Sequence, residues 1–393
     1  MSSSIGRMLK LTVFGQSHSF GIGCSLDGVP AGYKVDFDEL QRFLDRRAPG
    51  RSDTSTMRFE PDIPKFYAGF AGDVTCGAPI AAFIENTNTR SQDYDELRRI
   101  PRPGHADYPA LVKYRGYNDF AGGGHFSGRL TAPLCIAGGI ALQILAKHGI
   151  RIVAHIEQVG EIHDRRLEER FLVEDEIEAI CRNELPCISR QAAEAMHKEI
   201  LNARDHYDSI GGVVECVAYG VPLGVGDPMF DGLENRIAQV AFGIPAVKGV
   251  EFGAGFYAAR MRGSEHNDPY RMRDGRVTTP ISNNAGGILG GISTGSPVVW
   301  RMVVKPTSSI ARGQKSVDLE TGEDAILTVR GRHDPCIVPR AVPVAEAACA
   351  FALLDAMLEA NMIELPAPKR DIPGPAVAPR VQVVPTSPTS ISD

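Results

Sequence analysis

Short apolar runs alternate along the chain with turns rich in glycine. The segments MLKLTVFG and IGCSLDGVPAG predict strands that run into turns, and APIAAFIEN predicts a short apolar strand. Glycine (41 residues) and proline (27 residues) cluster between these runs and interrupt them. The pattern is typical of a protein built from many short strands and tight loops.

Longer periodic segments predict helices of two kinds. FDELQRFLDRRA is amphipathic and opens with acidic residues, which favour a helix N-terminus. LTAPLCIAGGIALQILAKHG and VAEAACAFALLDAMLEANM are apolar around most of their circumference, so we expect two buried helices. The charged segment 165–206 has a helical pattern and predicts a peripheral layer over about 160–207. Strands and helices together predict an α+β fold.

A weak internal repeat divides the chain. GVPAG (28–32) precedes an acidic helix start at Asp38, and GVPLG (220–224) precedes a similar start at Asp231. Further along, TCGAP (75–79) and STGSP (293–297) each lead into an apolar strand. The order predicts two halves of related architecture. Chance matching between glycine-rich strings is the alternative explanation.

Composition sets the size class and narrows the function. The chain has 393 residues, of which 43% are hydrophobic and 23% charged, enough for one large domain or two ordinary ones. We expect a single domain over 1–365, followed by a Pro-rich, disordered tail over 366–393. The net charge of -6 gives no support to a role on nucleic acids or membrane surfaces.

Cysteine usage and the chain start point to a reducing compartment. The eight cysteines are scattered without a C-x-x-C pair, so we expect no metal site and mostly small apolar core residues. No apolar run looks long enough to span a bilayer, and MSSSIGRMLK is too short and polar for a signal peptide. The expected location is the cytoplasm.

Four loops combine glycine with histidine, arginine or serine. They are GQSHSFG (15–21), RPGHADY (102–108), AGGGHFSGRLT (121–131) and VRGRHDPC (329–336). KPTSS (305–309) adds a lysine followed by three hydroxyls, and RRAPGR (46–51) is a basic turn.

Glycine lets the backbone approach a ligand, arginine binds phosphate and carboxylate through two N–H groups, and histidine exchanges protons near neutral pH. Each loop alone fits a surface turn or a structural hydrogen bond equally well. Together they predict an enzyme that binds a small polyanion and uses histidine in acid–base chemistry.

Six stretches resemble the chorismate synthase family from about residue 8 to 362: RPGHADY, SNNAGGILGGISTG, KPTSSI, GRHDPC followed by RAVPVAEA, ENTNTRSQDY and DSIGGVVECVAYGVP. The resemblance implies a β-α-β sandwich with two pseudo-duplicated halves, assembled as a homotetramer. It implies a lyase at the last step of the shikimate pathway, which eliminates phosphate from 5-enolpyruvylshikimate 3-phosphate (anti 1,4-elimination) to give chorismate. Reduced FMN is the implied cofactor, and NADPH is a candidate external reductant. The chain shows no reductase domain, so an external flavin reductase is a candidate partner.

The resemblance also implies roles for individual residues. His18 would be the acid toward the departing phosphate, His105 would stand beside the reduced flavin, and Asp334 would assist proton movement at the flavin. The substrate's anionic groups would be bound by Ser17, Arg47, Arg102, Ser127, Arg129 and Arg332. The flavin would be contacted by His125, Phe126, Ser127, Pro245, Ala246, Asn284, Gly290, Lys305, Pro306, Thr307, Ser308, Ser309 and Arg332.

Several positions depart from the usual family pattern. Gln16 stands where the family carries an acidic residue, Ser19 replaces glycine, and Asp53 stands where many members have arginine. In the glycine loop His125 replaces arginine, Phe126 serine and Leu130 glutamate. Charges of both signs are lost, which favours a family subtype. The alternatives are a paralogue of the same fold that acts on another phosphorylated cyclic acid, and a non-catalytic protein that binds flavin or anions.

Overall fold

Two five-stranded antiparallel sheets enclose a layer of helices. The computed structural model describes residues 3–50, 54, 60–87, 96–167, 174–329 and 333–368. The first sheet has the order β1-β2-β3-β7-β4, and the second has the order β11-β16-β10-β8-β9. The expected α+β class is confirmed.

The first half of the chain builds the first sheet and three helices. Its strands are β1 (Ser4–Ile5), β2 (Lys10–Gly15), β3 (Gly21–Asp27), β4 (Lys65–Ala68), β5 (Phe70–Ala71), β6 (Val74–Thr75) and β7 (Ile80–Glu85). Its helices are α1 (Phe37–Arg47), α2 (Asp107–Lys113) and α3 (Thr131–Lys147). Asp36 caps α1 by accepting from the Glu39 amide at 2.9 Å, as the acidic helix start predicted.

The second half builds the second sheet, several hairpins and five helices. Its strands are β8 (Arg151–Val159), β9 (Ile162–His163), β10 (Gly212–Tyr219), β11 (Val247–Phe252), β12 (Met272–Arg273), β13 (Arg276–Val277), β14 (Ile288–Leu289), β15 (Ile292–Ser293), β16 (Val298–Val304), β17 (Gln314–Asp318) and β18 (Glu323–Leu327). Its helices are α4 (Glu174–Arg182), α5 (Arg190–Asp205), α6 (Leu233–Gly243), α7 (Gly263–His266) and α8 (Val338–Glu359).

The two halves repeat one chain path. In each half, two adjacent strands are followed by a helix: β2, β3 and α1 in the first half, and β8, β10 and α6 in the second. An outer strand follows (β4 or β11), and then a strand that pairs between it and the second strand (β7 or β16). A long helix, α3 or α8, comes last. The second half inserts β9, α4 and α5 after its first strand, at the position of the predicted peripheral layer. The pseudo-duplication is therefore confirmed.

The predicted repeat strings occupy equivalent positions. Thr75 Oγ1 donates to the Pro30 carbonyl at 2.7 Å, and Ser293 Oγ donates to the Pro222 carbonyl at 2.6 Å. The same two hydroxyls accept from backbone amides three residues beyond each proline, at 2.9 and 2.8 Å. GVPAG and GVPLG are thus the same structural turn, and the repeat is more than chance matching.

Helices α3 and α8 form the centre of the core. They pack against each other, with α3 facing the first sheet and α8 the second. Ala347 on α8 lies directly against Gly138 on α3, where an added Cβ would stand 2.3 Å from the Ala347 Cα. Gly128–Lys147 and Val338–Glu359 are long and apolar enough to cross a membrane, which corrects the expectation drawn from run length. Both are mostly buried inside the protein, as core helices are.

The remaining predictions concern the cysteines and the tail. Six of the eight cysteines are buried, which confirms most of them as core residues. Pro366 lies against Gly32, and the predicted disordered tail falls, from residue 369 onward, outside the described residues.

Candidate active site

A cavity of about 760 Å³ lies where the two halves meet. Each half contributes equivalent elements: the C-terminal ends of α1 and α6 and the N-terminal ends of α3 and α8 all line it. Among the described residues, six cationic side chains but only two carboxylates line its wall. The cations are Arg47, Arg102, Arg129, Lys248, Lys305 and Arg340, and the carboxylates are Glu60 and Asp334. With the positive ends of two long helices added, the cavity favours anions.

Two buried arginines share one carboxylate. Arg47 Nε donates to Asp62 Oδ2 at 2.5 Å, and Arg129 Nη1 donates to Asp62 Oδ1. Burial lowers the pKa of Arg129, and the nearby Arg47 lowers it further, against the opposing effect of Asp62. Glu60 lies 3.5 Å from Arg129 Nη2, so two buried carboxylates, Asp62 and Glu60, balance the two guanidinium groups at this part of the cavity wall.

The RPGHADY segment forms a compact hydrogen-bonded group. Arg102 donates to both oxygens of Asp107 at 2.7 and 2.8 Å, and its Nη1 reaches Ser309 Oγ at 3.1 Å. His105 Nδ1 lies 2.5 Å from Asp107 Oδ1. Burial alone would raise the pKa of Asp107, but the hydrogen bonds from Arg102 and His105 hold it well below its ordinary range.

His18 lies beside the cavity, against its wall. Its Nδ1 is 3.1 Å from Ser17 Oγ, and the ring packs on Gly122, where an added Cβ would stand 2.2 Å away. Gly122 has a φ of +68° and lines the cavity, so glycine is required there both by space and by conformation. The loop of His18 is held by Asn86, whose Nδ2 donates to the Gln16 carbonyl at 2.9 Å.

The KPTSS segment lies beside the RPGHADY segment at the cavity wall. An added Cβ on Gly104 would stand 3.9 Å from Lys305 Nζ and 3.8 Å from the Ser308 Cβ. Burial lowers the pKa of Lys305, and Lys248 lowers it further. Lys305 N donates at 2.9 Å to the carbonyl of Ala246, which adopts a φ of +75°, a strained conformation for a residue with a side chain.

Asp334 lies at the start of α8. Its Oδ2 accepts from Arg340 Nη1 at 2.6 Å, and its carbonyl accepts from Thr307 Oγ1 at 3.1 Å. Arg340 Nε also donates to the Arg47 carbonyl at 3.0 Å. Arg340 therefore connects the α8 side of the cavity to the α1 side.

A sequence model of the chorismate synthase family matches residues 9–358. The chain belongs to the chorismate synthase family. It is 48% identical over 361 residues to a chorismate synthase of Pyrococcus abyssi, which covers 92% of this chain and 99% of that protein. It is 46% identical over 371 residues to a chorismate synthase of Lancefieldella parvula, which covers 91% of this chain and 96% of that protein.

A crystal structure of a chorismate synthase has the same fold. It superposes with a TM-score of 0.70 at 28% identity, covering 91% of this chain and 93% of that one. Family, relatives and fold agree on a chorismate synthase activity, the last step of the shikimate pathway. They do not favour the paralogue with another substrate or the non-catalytic protein.

Most of the residues that the family resemblance proposed lie together. Of these, fourteen line the cavity: Arg47, Arg102, His105, His125, Phe126, Ser127, Arg129, Pro245, Ala246, Lys305, Thr307, Ser308, Ser309 and Asp334. Ser17 and His18 adjoin it through Gly122. Pro306 is not among the lining residues, and Arg332 lies outside the described part of the chain.

Asn284 and Gly290 do not line this cavity. Asn284 Nδ2 donates to the carbonyl of His266 at 3.1 Å, and its backbone N–H donates to Asp268 at 2.8 Å. Gly290 is exposed in the β14–β15 hairpin. Their roles at the flavin stay predictions.

The departures from the family pattern have local structural partners. Ser19 Oγ donates to the carbonyls of Gln16 and Gly21 at 3.0 and 3.1 Å, so it braces the loop of His18. The centroid of the His125 ring lies 4.1 Å from that of Phe126 and 5.4 Å from that of Tyr114. The three rings form an aromatic cluster at the cavity wall. Asp53 falls outside the described residues.

Sequence reasoning missed several residues of the site. Asp62 and Glu60 occur in a short E-P-D string that carries no distinctive spacing. Arg340 and Lys248 line the cavity, and only the RAVPVAEA string beside GRHDPC hinted at the first. Asp107 was visible within RPGHADY, but its contact with both Arg102 and His105 required coordinates.

Proposed function

We propose that this cavity is where the chain converts 5-enolpyruvylshikimate 3-phosphate into chorismate, with reduced FMN bound beside the substrate. A ring C–H bond and the C–O bond to phosphate are broken, one further double bond forms, and a proton and phosphate are released. The observation that carries the proposal is the gathering of six cationic side chains around histidines at the meeting point of two helix N-termini. Such a cavity suits a substrate with one phosphate and two carboxylates.

The KPTSS segment, which lies beside RPGHADY, is suited to bind the FMN phosphate. Lys305 and the hydroxyl of Ser308 stand beside Gly104, whose missing side chain leaves a cradle between the two segments. Lysine and hydroxyl groups donate hydrogen bonds to phosphate. Burial and Lys248 lower the pKa of Lys305, and a bound phosphate would stabilise its protonated form. Pro245, Ala246, His125 and Phe126 would line the flavin beyond its phosphate. When bound, reduced FMN supplies transient electron density that weakens the C–O bond.

The charged and polar residues predicted for the site have separate proposed roles. Arg47, Arg102 and Arg129, together with Arg332, would bind the substrate's anionic groups, and Ser17 and Ser127 would hydrogen-bond it. His18 would protonate the departing phosphate, since its ring is oriented by Ser17 against the cavity wall. His105 and Asp334 would hold and move protons at the flavin, with Arg340 keeping the Asp334 carboxylate in place.

An anaerobic assay tests the function directly. The purified chain is mixed with 5-enolpyruvylshikimate 3-phosphate and chemically reduced FMN, and phosphate and chorismate are measured together. We expect equal amounts of both products, and neither when oxidised FMN is used. Substrate binding without product release would contradict the proposal and favour a non-catalytic protein. Release of phosphate without chorismate would favour another reaction.

The assembly, the flavin supply and the location complete the proposal. We place the chain in the cytoplasm as a homotetramer. Exposed apolar side chains support association, among them Phe256 and Phe230, whose residues are 84% and 83% exposed. An external reductase using NADPH would supply the reduced flavin. NADPH with FMN and the chain alone should then leave the flavin oxidised, and light scattering should give four times the 42.4 kDa chain mass.

A further inference from the structure

The Asp107 carboxylate lies between two groups of the proposed active site. It is 9% exposed and begins α2. Its Oδ2 accepts from Arg102 Nε at 2.7 Å and from the Arg102 backbone amide at 3.0 Å. Its Oδ1 accepts from Arg102 Nη2 at 2.8 Å and lies 2.5 Å from His105 Nδ1. Both carboxylate oxygens are therefore committed to this one segment.

The contact with His105 determines which ring nitrogen carries the proton. An ionised carboxylate can only accept, so the nitrogen at 2.5 Å from it must be the donor. Arg102 Nη2 also lies 3.1 Å from Nδ1, and as a donor itself it cannot receive that proton. In neutral His105 the lone pair is then on Nε2. That atom faces the cavity wall, 3.4 Å from where a Cβ on Gly123 would stand.

We propose that Asp107 is a positioning residue for the reaction. It holds His105 in the Nδ1–H tautomer, so that Nε2 takes up and returns a proton on the cavity side. The same carboxylate also fixes the position of the Arg102 guanidinium group. Within the described part of the chain, His105 Nδ1 lies 3.1 Å from Arg102 Nη2 and 2.5 Å from Asp107 Oδ1, and Lys305 Nζ lies near Gly104, the residue before His105. Of these three groups, Asp107 is the carboxylate and therefore the one that can accept a hydrogen bond from the ring. This inference rests on the proposed function only for what the proton is exchanged with.

Replacing the carboxylate by an amide separates orientation from folding. Asp107→Asn keeps the shape but removes the charge and offers an N–H donor toward Nδ1, which favours the opposite tautomer of His105. Asp107→Glu keeps the acceptor and the charge, so it should recover part of the function.

The tautomer can be observed without turnover. In the full chain labelled with ¹⁵N-histidine, the NMR signals of His105 are assigned by their loss in His105→Gln. We expect the neutral wild-type ring to carry its proton on Nδ1, and in Asp107→Asn to carry it on Nε2. A neutral wild-type ring protonated on Nε2 would overturn the proposal without any substitution at Asp107, even if that variant failed to fold.

Kinetics under anaerobic conditions give the second readout. We expect Asp107→Asn to lower kcat by about 10²- to 10⁴-fold, the range of a positioned acid–base group. Asp107→Glu should retain more activity than Asp107→Asn. Asp73→Asn removes a carboxylate from an exposed pair with Lys34 and should match wild type.

Two outcomes are separable. An Asp107→Asn variant with wild-type kcat and the Nδ1–H tautomer would overturn the positioning role. A wild-type chain that makes no chorismate, yet shows the Nδ1–H tautomer, would instead overturn the proposed function.

Discussion

The position of His18 shows how a single residue acquires a role from its surroundings. The ring rests on the backbone of Gly122 and contacts Ser17, and the Asn86 amide holds its loop. Gln16 adds no charge beside it, and the hydroxyl of Ser19 braces the turn. These contacts fix the position of the ring beside the cavity, where a bound anion would lie next to it.

We expect substrate to charge His18. A bound phosphate raises the pKa of a nearby imidazole, because it stabilises the protonated ring. His18→Gln should lower kcat by about 10²- to 10⁴-fold and should remove the limb at which activity falls as His18 loses its proton. His206→Gln, at an exposed helix end, is the matched control. Identical limiting pKa values in wild type and His18→Gln would rule out this assignment.

Lys305 offers a test at the opposite wall. Lys305→Ala should weaken binding of oxidised FMN by about 10- to 100-fold, since a hydrogen bond to a charged group contributes about 1.5–3 kcal/mol. Only protonated lysine attracts phosphate strongly, so wild-type affinity should fall as pH rises through the lowered pKa of Lys305. Flavin fluorescence titration measures both effects. Lys315→Ala, exposed on β17, should bind FMN as wild type does, and an unchanged affinity in Lys305→Ala would remove Lys305 from the site.

At the scale of elements, helices α3 and α8 carry both core and site. Their middle turns approach so closely that Gly138 faces the backbone of Ala347. Their N-terminal turns bring Ser127, Arg129 and Arg340 to the cavity. Packing between the helices therefore sets the distance between the two sides of the site.

Gly138→Ala tests this close packing. The added Cβ would stand 2.3 Å from the Ala347 Cα, so α8 must shift, and overpacking typically costs about 1–3 kcal/mol. Helix propensity favours alanine by about 1 kcal/mol and offsets part of the loss. Urea unfolding, followed by the fluorescence of the single tryptophan, Trp300, measures the difference. Gly243→Ala on α6 meets nothing within 4 Å and should be as stable as wild type or more so. Equal stability of both variants would contradict tight helix contact.

At the scale of the whole molecule, the second sheet carries a row of four charged or titratable side chains across its strands, three of them buried. His155, Glu215, Arg301 and Glu251 are cross-strand neighbours on β8, β10, β16 and β11. His155 Nε2 lies 3.1 Å from Glu215, which Arg301 Nη1 also contacts at 3.2 Å. Burial alone would lower the pKa of His155, but the adjacent carboxylates of Asp164 and Glu215 outweigh burial and raise it.

This row makes stability depend on pH in a defined direction. Because the folded pKa of His155 is above its unfolded value, its contribution is complete below about pH 6.5 and declines as pH rises through the folded pKa. Relative to wild type, His155→Gln should lose most stability at acidic pH and progressively less at alkaline pH. Urea midpoints between pH 6 and 9 measure this, with exposed His163→Gln as control. A loss that grows with pH would show that His155 is neutral in the folded protein.

The sequence by itself determined the elements and much of the chemistry. Periodicity located α1, α3 and α8 and the strands β2, β3 and β7, because burial of an apolar face leaves its spacing in the chain. The GVPAG and GVPLG strings disclosed the duplication, since both turns need glycine at a positive φ, +97° at Gly32 and +94° at Gly224. Most of the site residues that the family resemblance named line the cavity.

Only the tertiary structure decided how these residues act on one another. The sharing of Asp62 by Arg47 and Arg129 joins residues up to 82 positions apart, and Arg340 reaches the carbonyl of Arg47 across the two halves. Such contacts depend on how α1, α3 and α8 converge, which local periodicity does not encode. The apolar circumference of α3 and α8 predicted two buried helices, but it did not show which elements cover them, because a helix that is apolar on all sides packs equally well against a sheet or another helix. In the structure the two sheets enclose these helices, and the N-termini of both helices lie at one anion-binding cavity.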